Sequence, residues 1–145
     1  MNHIPSVDLR DFLSEDPSRK QKFINEIHQA FSEIGFVALR GHFLDQKLVD
    51  ELYGQVKHFF TLEESIKKKY EIAGIGGQRG YTSFGRESAK GSSAGDLKEF
   101  WHFGQVPEKD ANLGEDYPEN VLVEELPKFN VTGMEAYRML EKTGI

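Results

Sequence analysis

The feature that most constrains this chain is a change of period at Gly35. Upstream of it, Phe23, Ile27, Ala30, Phe31 and Ile34 recur at helical spacing; downstream, Phe36-Val37-Ala38-Leu39 is a short unbroken apolar run. The first pattern puts its apolar residues on one stripe roughly 100° wide, as in a helix lying on a core. The second is too short for another helix and reads as a buried strand, over residues 36–40. Gly35 supplies a left-handed C-cap between them. Asp16-Pro17 opens the helix, with Asp as N-cap and Pro at the first helical position. A short extended segment around Ile4, Val7 and Leu9 precedes it, and the fold class that follows is α+β.

Gly41-His42 turns the chain into a second stripe, Leu48, Leu52, Val56 and Phe59, which predicts a helix over about residues 45–60. Thr61-Leu62-Glu63-Glu64 has the form of a capping box and predicts a third helix, with Glu63–Lys67 and Glu64–Lys68 as i,i+4 pairs. Lys67, Lys68 and Lys69 then read as a solvated helix end. Glycines and serines crowd residues 74–95, marking loops around one short strand near Tyr81, and the loop over 85–95 is expected to be mobile. Leu97 to Phe103 reads as a strand with Leu97, Trp101 and Phe103 on one face. Residues 105–128 read as an irregular acidic surface segment bearing three prolines. A last helix is expected from near Val131, with Met134, Tyr137 and Leu140 inward.

With 145 residues, 38% of them apolar and eleven of them Phe, the chain can form one domain with a buried core. Its formal charge of −6 argues against nucleic acid as a partner, because such binding needs Lys and Arg to neutralise phosphates. The absence of cysteine excludes disulfides, thiolate metal sites and Cys nucleophiles. No signal peptide or membrane-spanning run is visible, so a cytoplasmic location is expected. Asn130-Val131-Thr132 matches a glycosylation acceptor but has no meaning outside the secretory pathway.

Five elements in order carry a resemblance: Ile4-Pro5-Ser6-Val7-Asp8, Gly35-Phe36-Val37, Phe59-Phe60-Thr61-Leu62-Glu63-Glu64, Gly80-Tyr81 and Lys98-Glu99-Phe100-Trp101. Together they resemble the N-terminal region of the isopenicillin N synthase-like family of iron(II)/2-oxoglutarate oxygenases. Arg40-Gly41-His42-Phe43 and Leu122-Val123 depart from that family's usual turn and Trp-Pro. The resemblance implies three to four helices packed on a few strands, the incomplete N-terminal part of a double-stranded β-helix (jelly-roll) oxygenase. Residues 1–130 would be the non-haem dioxygenase N-terminal domain. Residues 131–145 would begin the helix leading into an absent catalytic jelly roll.

The family's chemistry needs an H-x-D…H triad for Fe(II) and an R-x-S pair for 2-oxoglutarate. His3, His28, His42, His58 and His102 are followed two residues on by Pro5, Ala30, Leu44, Phe60 and Gly104, so none supplies H-x-D. Arg86-Glu87-Ser88 matches R-x-S but stands upstream of any ligand, in a Gly/Ser loop, and is read as chance. His42 with Asp45 reads as a turn and an N-cap rather than a metal pair. Gly74-Ile75-Gly76-Gly77-Gln78-Arg79-Gly80 fails as a phosphate loop because Arg79 stands where glycine is required and a helix precedes it. His102 either faces a pocket or satisfies a local acceptor, and Glu99 is expected in a structural ion pair.

The expectation is therefore no cofactor and no metal in this chain, with Fe(II) and 2-oxoglutarate implied only for the full-length family. Arg79 and Tyr81 are the substrate-binding candidates, since the resemblance puts Gly-Tyr near the mouth of the active site. Tyr81 equally fits ordinary core, and Arg79 a surface charge. The partner implied is a small organic substrate, held jointly with the missing catalytic part, and the parent reaction is its hydroxylation, desaturation or ring closure. Open strand edges predict low stability or self-association of the isolated chain. A second reading makes the chain a stand-alone α+β interaction module without catalysis.

Overall fold

The computed structural model describes residues 3–86, 95–106 and 117–144. Strand β1 (Ser6–Asp8) runs into a single-turn helix α1 (Leu9–Phe12), and α2 (Pro17–Glu33) crosses back to strand β2 (Ala38–Arg40). β1 and β2 pair in parallel, Val7 opposite Leu39, a pairing that needs a crossover between the strands, which α1 and α2 supply. Asp16 caps α2 through Ser18 N–H at 2.8 Å, with Pro17 behind it as expected. Gly35 has φ +82° and donates its N–H to Ala30 O at 3.1 Å, so the helix ends where its sequence says.

Val7, Leu9 and Phe23 form the small core of this half, with Phe12, Ile27, Val37, Leu39 and Phe43 packed around them. The predicted strand over 36–40 is shorter and is not buried. Phe36 is 68% exposed, and Phe31 on the helix stripe is 57% exposed. The physical reason is that, among the described residues, β2 has only β1 as a strand partner, so the apolar run is covered on one side and its other edge is open.

Helix α3 (Gln46–Phe60) begins as predicted, its Asp45 carboxylate accepting Leu48 N–H at 2.8 Å. The expected capping box does not form. Thr61 instead closes α3, donating its hydroxyl to His58 O at 2.8 Å. The next helix α4 (Glu64–Lys67) has no side-chain cap and runs into a 3-10 turn, Lys68–Tyr70. Its Glu64–Lys68 pair forms at 2.6 Å, but Lys67 is buried and does not join Glu63.

Strands β3 (Gly80–Thr82) and β4 (Phe100–His102) are antiparallel, Tyr81 opposite Trp101. Both of these rings point into the main core. Leu97, expected on that face, lies outside the strand and is 94% exposed. Gly80 has φ +76°, and a Cβ there would sit 2.5 Å from Tyr70 O and 3.0 Å from Val121 Cγ2. Only glycine fits both the left-handed backbone and the close approach.

The last helix, α5 (Pro127–Thr143), starts four residues before Val131, because Pro127 takes the first helical position, where its missing N–H has no helical partner to lose. Its buried face is Phe129, Thr132, Gly133 and Ala136, whereas Leu140 is exposed. α5 packs on α3, and Phe59, Tyr70, Tyr81, Val123, Leu126 and Phe129 make the main core between them and the β3–β4 hairpin. Two asparagines tie the incoming segment to this core as surrogate strand partners. Asn120 brackets the N–H and C=O of Gly104 at 2.7 and 2.8 Å, and Asn130 those of Val123 at 2.8 and 2.9 Å. The amide of the Asn130 glycosylation motif is thereby already engaged, and Thr132 is buried.

Candidate functional site

Tyr81 stands at the centre of two neighbouring features. Inward, its hydroxyl donates to Glu99, whose carboxylate also takes both contacts of the Lys67 ammonium, at 2.7 and 3.0 Å. Lys67 further reaches Phe60 O at 3.4 Å, and its charge lies 5.6 Å from the centre of the Tyr81 ring. Lys67 and Glu99 side chains are 8% and 15% exposed, so this is a buried pair, and the reading of Lys67 as solvated is corrected. Glu99 is the structural ion-pair partner its sequence context predicted.

Outward, Tyr81 and Thr82 form one wall of a cavity of about 380 Å³, bounded on the other side by residues 71–74, 76 and 77. Glu71 and Arg86 stand at its rim. Glu71 Oε1 accepts Ser83 N–H at 3.3 Å, Ser83 Oγ–H at 2.9 Å and Arg86 Nε–H at 3.1 Å. Burial pushes the Glu71 carboxyl up, but Ser83 and Arg86 outweigh it and hold it below its usual range. The Thr82 hydroxyl is buried in the wall and has no hydrogen-bond partner among the described residues.

Burial, and then the Glu99 carboxylate, push the Tyr81 phenol well above its ordinary value. Burial and Glu125 do the same to Tyr70, whose hydroxyl donates to Glu125 and accepts Glu124 N–H at 2.9 Å. The folded state therefore holds these two protons after the unfolded chain, with tyrosine near pH 10, has released them. Stability from both groups is complete below about pH 10 and is lost as pH rises through the folded values. Melting temperatures are expected to fall more steeply above about pH 10 than in Tyr81→Phe, with phenolate absorbance appearing together with unfolding. Equal slopes in the two proteins would remove Tyr81 from the account.

Arg79 lies apart from this cavity. Its Nη1 donates to Gln78 O at 2.7 Å, its guanidinium sits 4.9 Å from the Tyr117 ring, and the backbone of Gly104 packs against it. Its Nε is buried without a hydrogen-bond partner among the described residues. The two residues singled out in the sequence thus flank Gly80 but serve different surroundings. Glu71 and Thr82 carry no local signal in the sequence, Lys67 reads there as a solvated helix end, and Arg86 as part of a chance R-x-S match.

The other sequence candidates resolve individually. His102 donates Nδ1–H to Gly77 O at 2.6 Å and is exposed, so it satisfies a local acceptor. His42 is an exposed turn residue and Asp45 a helix cap. Of Arg86-Glu87-Ser88, Arg86 is engaged by Glu71, while residues 87 and 88 lie outside the described residues, as does most of the loop expected to be mobile. Among the described residues no group of three or more His, Asp or Glu is placed to hold a metal ion, and all five histidines are exposed. The described residues do not by themselves fit an iron centre.

Residues 4–125 match the family described as the N-terminal region of non-haem dioxygenase in morphine synthesis. The chain is 32% identical over 127 residues to the 2-oxoglutarate-dependent dioxygenase imqE of Aspergillus flavus, covering 85% of this chain and 33% of that protein. It is 32% identical over 106 residues to the proline hydroxylase buaE of Petromyces alliaceus, covering 70% and 33%. It matches a Caulobacter crescentus protein of the 2OG-Fe(II) oxygenase family with a TM-score of 0.80 at 33% identity, over 99% of this chain and 46% of that one. A full-length Neurospora crassa protein, crystallised with alpha-KG and thymine, shares the fold with a TM-score of 0.75 at 23% identity, over 98% and 45%. The chain spans about a third of the length of these curated relatives and under half of these solved structures.

Proposed function

The chain belongs to the non-haem dioxygenase N-terminal family of 2-oxoglutarate/Fe(II) oxygenases, and from that premise we propose that it is the substrate-side scaffold of an enzyme oxidising a small organic molecule. Residues 1–130 are the N-terminal domain, and 131–145 lead toward the catalytic jelly roll. The iron and 2-oxoglutarate ligands are supplied by that jelly roll, and these residues do not turn over 2-oxoglutarate alone. Tyr81 belongs to the substrate wall, with its hydroxyl committed to Glu99. Arg79, on the other flank of Gly80 and apart from the cavity, contacts the substrate from the mouth of the assembled enzyme. The location is cytoplasmic.

The observation that carries this reading is the extent of the match: nearly all of this chain, on less than half of an oxygenase-family protein one third identical to it. The exposed surface supports it. Among the described residues β2 has an open edge, with exposed Phe36 just before it in the chain and Phe31 exposed on α2. The end of α5 lies against that region, Thr143 Oγ1 accepting Phe43 N–H at 3.3 Å and Lys142 lying 4.2 Å from the Phe43 ring centre. The jelly roll packs on this edge, and in its absence a second copy of the chain does.

The test mixes the chain with the separately produced jelly-roll half of the Caulobacter crescentus relative. The chain is expected to form a one-to-one complex by sedimentation and to displace that protein's own N-terminal half. Alone it is expected to bind Fe(II) without stoichiometry and to release no succinate from 2-oxoglutarate. A jelly-roll half that takes its own partner but ignores this chain, or a saturable iron site in the chain alone, would overturn the proposal.

A further inference from the structure

We propose that the cavity between residues 71–77 and β3 is a binding site for a small zwitterion of the amino-acid type, its ammonium on Glu71 and its carboxylate on Arg86. This rests on the scaffold reading only in making the ligand a substrate; binding itself belongs to this chain. At about 380 Å³ the cavity lies within the range of about 300–1,000 Å³ usual for small-molecule sites.

Three groups at the cavity have unused hydrogen-bonding capacity. Thr82 Oγ1 is buried with no partner among the described residues, a state that a ligand atom would relieve. Arg86 spends Nε on Glu71, and its two terminal nitrogens have no partner among the described residues, leaving the fork that recognises a carboxylate. Glu71 crowds its three donors on Oε1, whereas Oε2 has only the Ser83 hydroxyl, already shared, at 3.1 Å. A carboxylate has about four acceptor positions, so Oε2 can take an ammonium.

The pairing of opposite charges selects the ligand class. Arg86 Nε lies 3.1 Å from Glu71 Oε1, so the free acceptor and the free fork are neighbours, like the two charged groups on one carbon of an amino acid. A simple anion would meet Glu71, and a simple amine would meet Arg86. A zwitterion leaves neither repelled. Ile72 and Ala73 on the loop provide an apolar wall for its side chain.

The chain alone, without iron, is titrated with L-phenylalanine, phenethylamine and 3-phenylpropionate, following backbone amide shifts of residues 71–86. L-Phenylalanine is expected to saturate, with both single-charge analogues weaker by about tenfold or more, the value of one charged hydrogen bond. Arg86→Met, a change at an exposed side chain, is expected to bring L-phenylalanine down to the level of phenethylamine. Thr82→Val is expected to weaken all three probes while the amide spectrum stays folded. The proposal is overturned if L-phenylalanine binds no better than phenethylamine, if shifts do not saturate, or if Arg86→Met binds as the parent does. Any of these would leave association with the jelly-roll half untouched, so the two readings fail separately.

Discussion

Phe59→Ala is expected to lower the stability of the chain by about 3–5 kcal/mol, the range for removing a large aromatic side chain from a packed core. Phe59 has no solvent exposure. Its ring stacks on Phe129 at 5.0 Å and 12°, and meets Trp101 edge-on at 4.8 Å and Tyr81 at 5.9 Å. Those partners come from α5, β4 and β3, so the ring joins the helices to the hairpin that carries the cavity. None of the three can move into the space, because each is fixed elsewhere: Tyr81 by Glu99, Trp101 by its strand register, Phe129 by the helix. The lost volume therefore stays largely as a void. Urea unfolding should show a lower midpoint with little change in slope, the mark of lost stability rather than altered compactness. Phe59→Leu should recover more than half of the loss. A decrease below about 1 kcal/mol for alanine would mean that the core collapses around the gap and that the ring is not its hub.

Features governed by neighbours within one helical turn were legible in the sequence. Asp16, Pro17 and Asp45 behave as written, since these N-terminal features depend on groups three residues apart or fewer, and Gly35 ends α2 through its own left-handed backbone. The α3 stripe ending at Phe59 was legible for the same reason. The failures are of two kinds. Thr61 offered its hydroxyl equally to the helix behind and the helix ahead, and a local pattern cannot say which carbonyl or N–H is nearer; His58 O was. Lys67 looked like its neighbours Lys68 and Lys69, because what buries it is Glu99, thirty-two residues on. The cavity shares this second cause. Glu71 acquires its role only when Ser83 and Arg86 fold back on it from the far side of β3. Tyr81 fell between the two kinds: the Gly-Tyr pair was visible, but whether the phenol faced core or substrate depended on the chain around β4, which supplies Glu99 beside it.

Lys67→Met is expected to cost about 3–5 kcal/mol, because it strips a partly buried carboxylate of its cation. Glu99 would keep only the Tyr81 hydroxyl, and Phe60 O would lose its ammonium contact. Glu99→Gln should cost a comparable amount for the opposite reason, leaving Lys67 charged at 8% exposure with neutral acceptors alone. A pair of this kind is not a strong stabiliser in itself, since desolvation cancels much of its attraction; what is costly is half of it. The double variant Lys67→Met/Glu99→Gln should therefore lose clearly less than the sum of the single changes, with a coupling on the order of 1–3 kcal/mol from the completed cycle. The Tyr81 hydroxyl distinguishes this from simple packing, since the carbonyl of the introduced glutamine amide can still accept its hydrogen bond and the phenol should stay in place. Additive losses in the cycle would mean that the two side chains act independently and that the link from α4 to the cavity wall is carried by the rings alone.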